Sequence, residues 1–257
     1  IAVKFHGMNM FQQQANFKSY LESLMFKKPV LFNMENADYV FSYGGGITDI
    51  ILKCGIPKDK VIEVPTGITQ DWFDETVNVN SIRKFIYIGR YERLKGIEEI
   101  QIAIQKLNKN GEEFEFHFIG PIPDHLKLKA KNVIYHGKIT DPSLLKKILK
   151  QCDVLVCPSF SEGMPNVILE AMAQSLCVIA SDVGATRILV SDSNGILIPS
   201  TTVDLIEKAM LKIIHMSNEN ILQLKKSSFH HIKNNFNWEH ISQILTSKIQ
   251  TAIEKKS

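Results

Sequence analysis

The stretch Asp153-Val-Leu-Val-Cys-Pro-Ser-Phe-Ser-Glu162-Gly-Met-Pro-Asn-Val-Ile-Leu-Glu170-Ala-Met-Ala173 decides how this chain is read. Val154-Leu155-Val156-Cys157 is a short, unbroken apolar run, the pattern of a strand buried on both faces of a parallel sheet. Pro158-Ser159 ends it, and the polar loop Ser159-Phe160-Ser161-Glu162-Gly163 follows. Pro165 opens a helix, with Leu169, Glu170, Ala171, Met172 and Ala173 as good helix formers behind it. Glu162 therefore lies in the loop and Glu170 about a turn into the helix. Between them, the amides of Met164, Pro165's neighbour Asn166 and Val167 fall where a helix start leaves N–H groups without intrahelical partners. Amides at the carboxyl edge of a strand make an anion site. Two carboxylates beside an anion site suit a nucleotide sugar, whose diphosphate takes the amides while its hydroxyls need acceptors.

Working outward, the chain alternates strands and helices. The expected strands are Phe85-Ile-Tyr-Ile88, Phe114 to Ile119, Val133 to His136, the run at Val154, Cys177 to Asp182, and Gly195 to Ile198. The expected helices are Ile97 to Lys109, one near Asp124 to Ala130, Pro142 to Lys150, the one after Pro165, a short one near Thr186 to Val190, Thr202 to His215, and Asn218 to Asn234. A last helix begins at Asn237-Trp238-Glu239. This alternation predicts a parallel sheet with right-handed crossovers. Toward the amino terminus, Ile1 to Phe5, Ala37 to Ser42 and Val61 to Val64 read as strands. Asn16 to Met34 reads as a helix with Phe17, Tyr20, Leu21, Leu24 and Met25 on one face. Gly44-Gly45-Gly46 reads as a turn into the helix Ile47 to Cys54, and Asp74 to Arg83 as a polar interdomain linker.

Composition narrows the class. Of 257 residues, 44% are hydrophobic and 22% charged, and Lys+Arg 30 against Asp+Glu 27 leaves a net charge of +3. That suits a soluble globular protein of one large or two modest domains and calls for no nucleic acid partner. No apolar run approaches the ~20 residues of a membrane span, and no secretory signal opens the chain. Cys54, Cys152, Cys157 and Cys177 show no CxxC spacing and read as reduced core thiols. The expectation is a cytoplasmic protein, with peripheral contact at the inner face of a membrane as an option.

The residues Glu162 to Glu170, spaced Glu-x7-Glu and followed by Ala-Met-Ala, resemble the signature of the group 1 (family 4) retaining glycosyltransferases. That resemblance implies an α/β GT-B fold of two Rossmann-like domains. It assigns 1–75 to part of the amino-terminal, acceptor-side domain, with earlier strands lacking. It assigns 76–235 to a complete nucleotide-sugar domain, and 236–257 to a helix crossing back to the first. Gly89-Arg90 and Lys95-Gly96 match the family's Gly-Arg…Lys-Gly motif. From the residues alone, Arg90 offers a planar fork and Lys95 a point charge to phosphate oxygens, while Arg93 is expected to face solvent. The resemblance places Glu162 near donor-sugar hydroxyls, His6 near the transferred sugar, and Gly137-Lys138-Ile139 against the base. Gly163 permits close backbone approach, Gly120 ends another strand at the same edge, and Glu170 is suited to vicinal ribose hydroxyls. Gly44 to Gly46 is no dinucleotide fingerprint, since the sixth position is Asp49; it reads as a tight turn or as backbone lining an acceptor cleft. The family's Gly-Gly-x-Pro-Glu pattern is altered here to Gly184-Ala-Thr-Arg187-Ile188. His230-His231 and Lys146-Lys147-Lys150 are expected on solvent-facing helix surfaces.

The function implied is transfer of a sugar from a UDP- or GDP-sugar donor to a hydroxyl of a saccharide or lipid-linked acceptor, with retention. No metal and no cofactor is expected: no Asp-x-Asp motif is present, and Arg90 and Lys95 take the charge work. Surface polysaccharide or lipid-linked glycan assembly is the setting the family suggests. Two alternatives stand beside it: a nucleotide-sugar-binding fragment without catalysis, and another GT-B enzyme such as a nucleotide-sugar epimerase.

Overall fold

The computed structural model describes residues 1–5 and 7–254. Its larger sheet has six parallel strands: β4 (Arg83–Ile88), β5 (Phe114–Ile119), β6 (Val133–Gly137), β7 (Val154–Cys157), β8 (Cys177–Ser181) and β9 (Gly195–Ile198). Their order is β6-β5-β4-β7-β8-β9. The chain steps outward from β4 through β5 to β6, then crosses back to β7 and steps out the other way. The strand order therefore reverses between β4 and β7, and their carboxyl-terminal loops diverge to leave a crevice there.

Central strands β7 and β8 are buried along their whole length, as unbroken apolar runs require in a sheet covered on both faces. One face carries Phe85, Phe116, Phe118, Val154, Val156 and Ile179, packed against α3 (Ile97–Lys109) and α6 (Val203–Ile214). Helix α3 buries Ile97, Ile100, Ala103, Ile104 and Leu107 at three- and four-residue spacing. The other face carries Ile86, Leu155 and Val178 under α4 (Pro142–Leu149), α5 (Asn166–Ala173) and α7 (Asn218–Asn235). Side-chain caps set helix starts: Asp141 accepts from the Ser143 N–H, Thr202 from Leu205 and Ser217 from Asn220.

The smaller sheet is β1 (Ala2–Lys4), β2 (Tyr39–Ser42) and β3 (Val61–Glu63), parallel and in that order. Helix α1 (Phe17–Asn36) and α2 (Gly46–Lys53) belong to it, and α8 (Trp238–Glu254) returns to pack Ile241 against Ile62 and Val64. Among the described residues no helix is long and apolar enough to cross a membrane.

Several expectations need correction. The helix expected at 124–130 is only a 3-10 turn, Asp124–Leu126, and the chain turns extended again at Lys127. Arg83 is no linker residue: it is buried in β4 and donates to the carbonyls of Asn80 and Met216 and to Asn218. The segment before it is fastened rather than free. Asn80 donates to Asp153, a fully buried carboxylate that also pairs with buried Lys225 at 3.1 Å. Lys147 and Lys150 lie exposed on their helix as expected, while Lys146 is half-buried; Lys146 and Lys150 reach Asp71 and Asp74. His231 is half-buried, its Nε2 bonded to the Ile188 carbonyl at 2.9 Å. Helix α1 forms as expected, with Asn16 as its cap, and its apolar residues Phe17, Tyr20, Leu21, Leu24 and Met25 are exposed.

Candidate active site

A cavity of about 320 Å3 opens in the crevice between β4 and β7. Its floor is the carboxyl ends of both strands, Tyr87 and Ile88 from one and Leu155, Val156 and Cys157 from the other. Its walls are Gly89, Arg90 and Lys95 on one side, and Ser159, Glu162 and Met164-Pro165-Asn166-Val167 on the other. Lys95 and Glu162, 67 positions apart, meet here because β7 pairs with β4.

The loop after β4 is shaped by close contacts. Tyr87 Oη donates to the Arg90 carbonyl at 2.9 Å, and a side chain at Gly89 would begin 2.7 Å from that hydroxyl. Burial pushes the Tyr87 phenol far above its usual range, so it remains a donor. Lys95 ends a 3-10 turn that Gly96 closes at φ +70°, against the Pro158 carbonyl. The Arg90 side chain is largely exposed and pairs with Glu92 at 3.1 Å, leaving it free to swing onto an anion at the rim.

Lys95 and Glu162 are the charged centre. Lys95 Nζ lies 2.7 Å from Glu162 Oε1, and Ser159 Oγ donates to the same oxygen at 2.6 Å. Burial acts to lower the Lys95 pKa, but attraction to Glu162 outweighs it and the net shift is upward, so the ammonium keeps its charge. Cys157 beneath them is a neutral thiol, pushed up to about 12 by burial and by Glu162. The Glu162 loop is clamped from the small-sheet unit: Gln12 Nε2 donates to the Glu162 carbonyl at 2.7 Å, and Gln12 Oε1 accepts from its N–H at 3.3 Å. Ser161 Oγ donates to Asn9 Oδ1 at 2.7 Å. From below, Gly184 approaches so closely that a Cβ would stand 2.3 Å from the Glu162 carbonyl oxygen. Arg187 ties the next loop across the cleft, bonding Asp182 and Asp49 at 2.9 Å each.

The structure brings Gly89, Arg90, Lys95, Glu162, Met164, Pro165, Asn166 and Val167 around one cavity. Gly163 sits in the same loop, its carbonyl accepting from Ala185 N–H at 2.8 Å. Gly120, Lys138 and Ile139 stand apart from the cavity wall. Gly120 joins Gly89 and Gly137 in a backbone seam along the ends of β4, β5 and β6: Gly120 N–H donates to the Gly137 carbonyl at 2.8 Å. Lys138 is exposed, and Ile139 packs on the core. Glu170 lies in α5, half-buried, with its carboxyl pushed upward by burial and no ion pair or hydrogen bond among the described residues. His6 lies outside the described residues. Arg93 corrects its expectation: it pairs with Glu99 and Glu98 and stacks over Phe160 at 4.7 Å, bracing the two loops against each other. Tyr87, Ser159 and Gln12 were missed by sequence reasoning. None of the three carried a local signal; Gln12 lies in the polar run Gln12-Gln-Gln14 after the 3-10 turn Asn9–Phe11.

Residues 82–216 match the family model for glycosyl transferases group 1. The chain belongs to the group 1 glycosyltransferases. It is 32% identical over 133 residues to a putative teichuronic acid biosynthesis glycosyltransferase of Bacillus subtilis, TuaC, a match covering 52% of this chain and 33% of the relative. It is 23% identical over 252 residues to a glycosyltransferase of Methanocaldococcus jannaschii, MJ1069, covering 91% of this chain and 64% of the relative. The chain thus spans between a third and two thirds of the length of these relatives. Among solved structures, sucrose-phosphate synthase from Thermosynechococcus elongatus superposes with a TM-score of 0.78 at 22% identity, over 100% of this chain and 68% of the other. Anabaena Alr3699/HepE in complex with UDP-glucose gives 0.74 at 15% identity, over 97% and 72%. The α/β architecture with parallel sheets is that of GT-B glycosyltransferases.

Proposed function

We propose that this group 1 glycosyltransferase takes a nucleoside-diphosphate sugar in the β4–β7 crevice and passes the sugar to a hydroxyl of a saccharide or lipid-linked acceptor, with retention. The observation that carries the reading is the meeting of Lys95, Glu162 and the first turn of α5 around one cavity at the strand-order reversal. Amides at that helix start and the cations Arg90 and Lys95 suit a diphosphate. Glu162 is left facing the sugar, and Glu170, without a side-chain partner among the described residues, suits the ribose hydroxyls. In the step, the bond from the anomeric carbon to the phosphate oxygen breaks while the acceptor oxygen bonds that carbon on the same face. The acceptor proton passes to the departing phosphate, whose growing charge Lys95 and Arg90 stabilise. This needs neither a metal nor a cofactor. The neighbours described with UDP and UDP-glucose favour a uridine donor. The unit at 1–75 would hold the acceptor side, 76–235 the donor side, and 236–257 would link them. A cytoplasmic location at the inner face of a membrane fits a lipid-linked acceptor.

The test is thermal melting with UDP, GDP, ADP and their sugar conjugates, on wild type and Glu170→Ala. Ligand at ~100 times its dissociation constant adds ~2.7 kcal/mol of stability. A shift with one nucleotide, lost in Glu170→Ala, supports the site and names the base. No shift with any of them would refute it for this chain.

A further inference from the structure

Arg93 and Phe160 stand outside the wall of the β4–β7 cavity, yet each is two residues from a member of its charged centre. Arg93 precedes Lys95 in the loop after β4, and Phe160 precedes Glu162 in the loop after β7. Three rungs join these two loops. Lys95 Nζ meets Glu162 Oε1 at 2.7 Å, the Phe160 N–H donates to the Leu94 carbonyl at 2.8 Å, and the Arg93 guanidinium lies over the Phe160 ring at 4.7 Å from its centre. The Arg93 rung is itself fixed to α3. Its Nη1 donates to Glu99 Oε2 at 2.8 Å, its Nη2 stands 2.5 Å from Glu99 Oε1, and its Nε faces Glu98 at 3.6 Å. Both carboxylates lie in the first turn of α3, where the helix dipole favours them, and Ile97 and Ile100 on either side are fully buried. The Glu99 side chain is only 11% exposed, so the guanidinium plane cannot turn without breaking a largely desolvated, two-pronged pair. The backbone opposite is fixed as well. A Cβ at Gly96 would stand 2.2 Å from the Pro158 carbonyl oxygen, and the Ser159 carbonyl accepts from Ser181 and Thr201.

We propose that Arg93 is a positioning residue, given the reading of Lys95 and Glu162 as the charged centre of sugar transfer: held by Glu99, it seats Phe160 and through Phe160 sets the Lys95–Glu162 contact. It acts through the loops rather than on the donor, because its guanidinium is already occupied by Glu99, Glu98 and the ring. That separates it from Arg90 and Lys95, the two cations of the same loop that line the cavity. Lysine at 93 keeps the charge but loses the planar fork that takes Glu99 with two prongs and lies flat on an aromatic face. Leucine at 160 keeps an apolar, buried side chain but loses the ring that the guanidinium sits on. It also leaves Arg93 paired with Glu98 and Glu99, so it reads the rung even where Arg93→Lys melts early.

Denaturant unfolding of wild type, Lys95→Met, Glu162→Gln and the double variant gives the Lys95–Glu162 coupling as a factor in the unfolding constant. The same cycle is then repeated in the Arg93→Lys and Phe160→Leu chains. The coupling factor should fall at least about threefold in both. A loss of stability that merely spreads through the chain would lower all four midpoints and leave the factor where it was. Release of nucleotide from the donor should show kcat down at least about tenfold with KM within about threefold, the split left when an interaction made only in the transition state is disturbed. An unchanged coupling factor in both variants would overturn the proposal. So would a raised KM at unchanged kcat, which would make Arg93 a donor ligand, or full turnover with the coupling lost. A fallen coupling factor in a chain whose wild type releases no nucleotide supports the brace and counts against the transfer reading alone.

Discussion

Replacing Lys95 by methionine removes the cation from a pair whose acid partner is nearly out of water. The Glu162 side chain is 12% exposed and the Lys95 side chain 31%, with 2.7 Å between the charged atoms. Removing one member of a fully buried pair costs about 3–5 kcal/mol, because the other charge is left desolvated. Here Lys95 touches solvent and Ser159 still donates to Glu162, so a cost of about 2 kcal/mol is expected after discounting for screening. That is a fall in melting temperature of about 4–8 °C for a chain of this size. Glu162→Gln in the same chain removes the orphaned charge, so Lys95→Met/Glu162→Gln should melt within about 1 kcal/mol of wild type, with the coupling read from the double-mutant cycle. Turnover should follow a different rule. If Lys95 steadies the departing phosphate, the double variant recovers stability but not activity, staying 100-fold or more below wild type, the scale of a lost charge stabiliser. Scanning calorimetry of the four proteins, with release of free nucleotide from the donor, reads both. A Lys95→Met chain that melts with wild type would refute the electrostatic argument. Recovery of turnover together with stability would reduce Lys95 to a scaffold for the Glu162 loop.

Three further outcomes follow from the same physics. Gly184→Ala, at φ +56° and with its Cβ 2.3 Å from the Glu162 carbonyl oxygen, should destabilise by about 2–4 kcal/mol and weaken donor binding more than tenfold, checked by melting and calorimetric titration. Lys225→Met leaves Asp153 charged and fully buried and should cost about 3–5 kcal/mol by urea unfolding, whereas Asp153→Asn/Lys225→Met should cost clearly less. His117 and His136, stacked and bonded at 2.8 Å, are both held below the usual histidine range, first by burial, with Glu115 opposing. The unfolded chain then binds more protons than the native one near pH 6, so stability is full above the unfolded value of about 6.5 and falls as pH drops through it. Denaturant midpoints between pH 8 and 5 should show a slope that His117→Gln/His136→Gln flattens.

The larger sheet was legible because its strands are unbroken apolar runs and its helices carry three- and four-residue apolar spacing; Ile97–Lys109, Phe114–Ile119 and Gly195–Ile198 fall where the pattern places them. The small sheet and α1 were legible as strands and a helix, though periodicity reports an apolar face and says nothing of what covers it. Arg93 and His231 were misread: a polar side chain in a polar stretch looks solvated until its partner arrives from elsewhere in the chain.

By itself, the sequence determined the elements, the glutamate pair eight residues apart, and the basic loop after β4, since these depend on local spacing and backbone propensity. The tertiary structure alone decided that β4 and β7 are neighbours, with the strand order reversing between them. That pairing sets Lys95 on Glu162, while the packing of other elements puts Gln12 and Gly184 on either side of the Glu162 loop and gives Lys225 to Asp153. Such contacts join residues tens to more than a hundred positions apart, and no local pattern encodes them; they exist because the core faces of the helices can be buried only when the strands stand in this order.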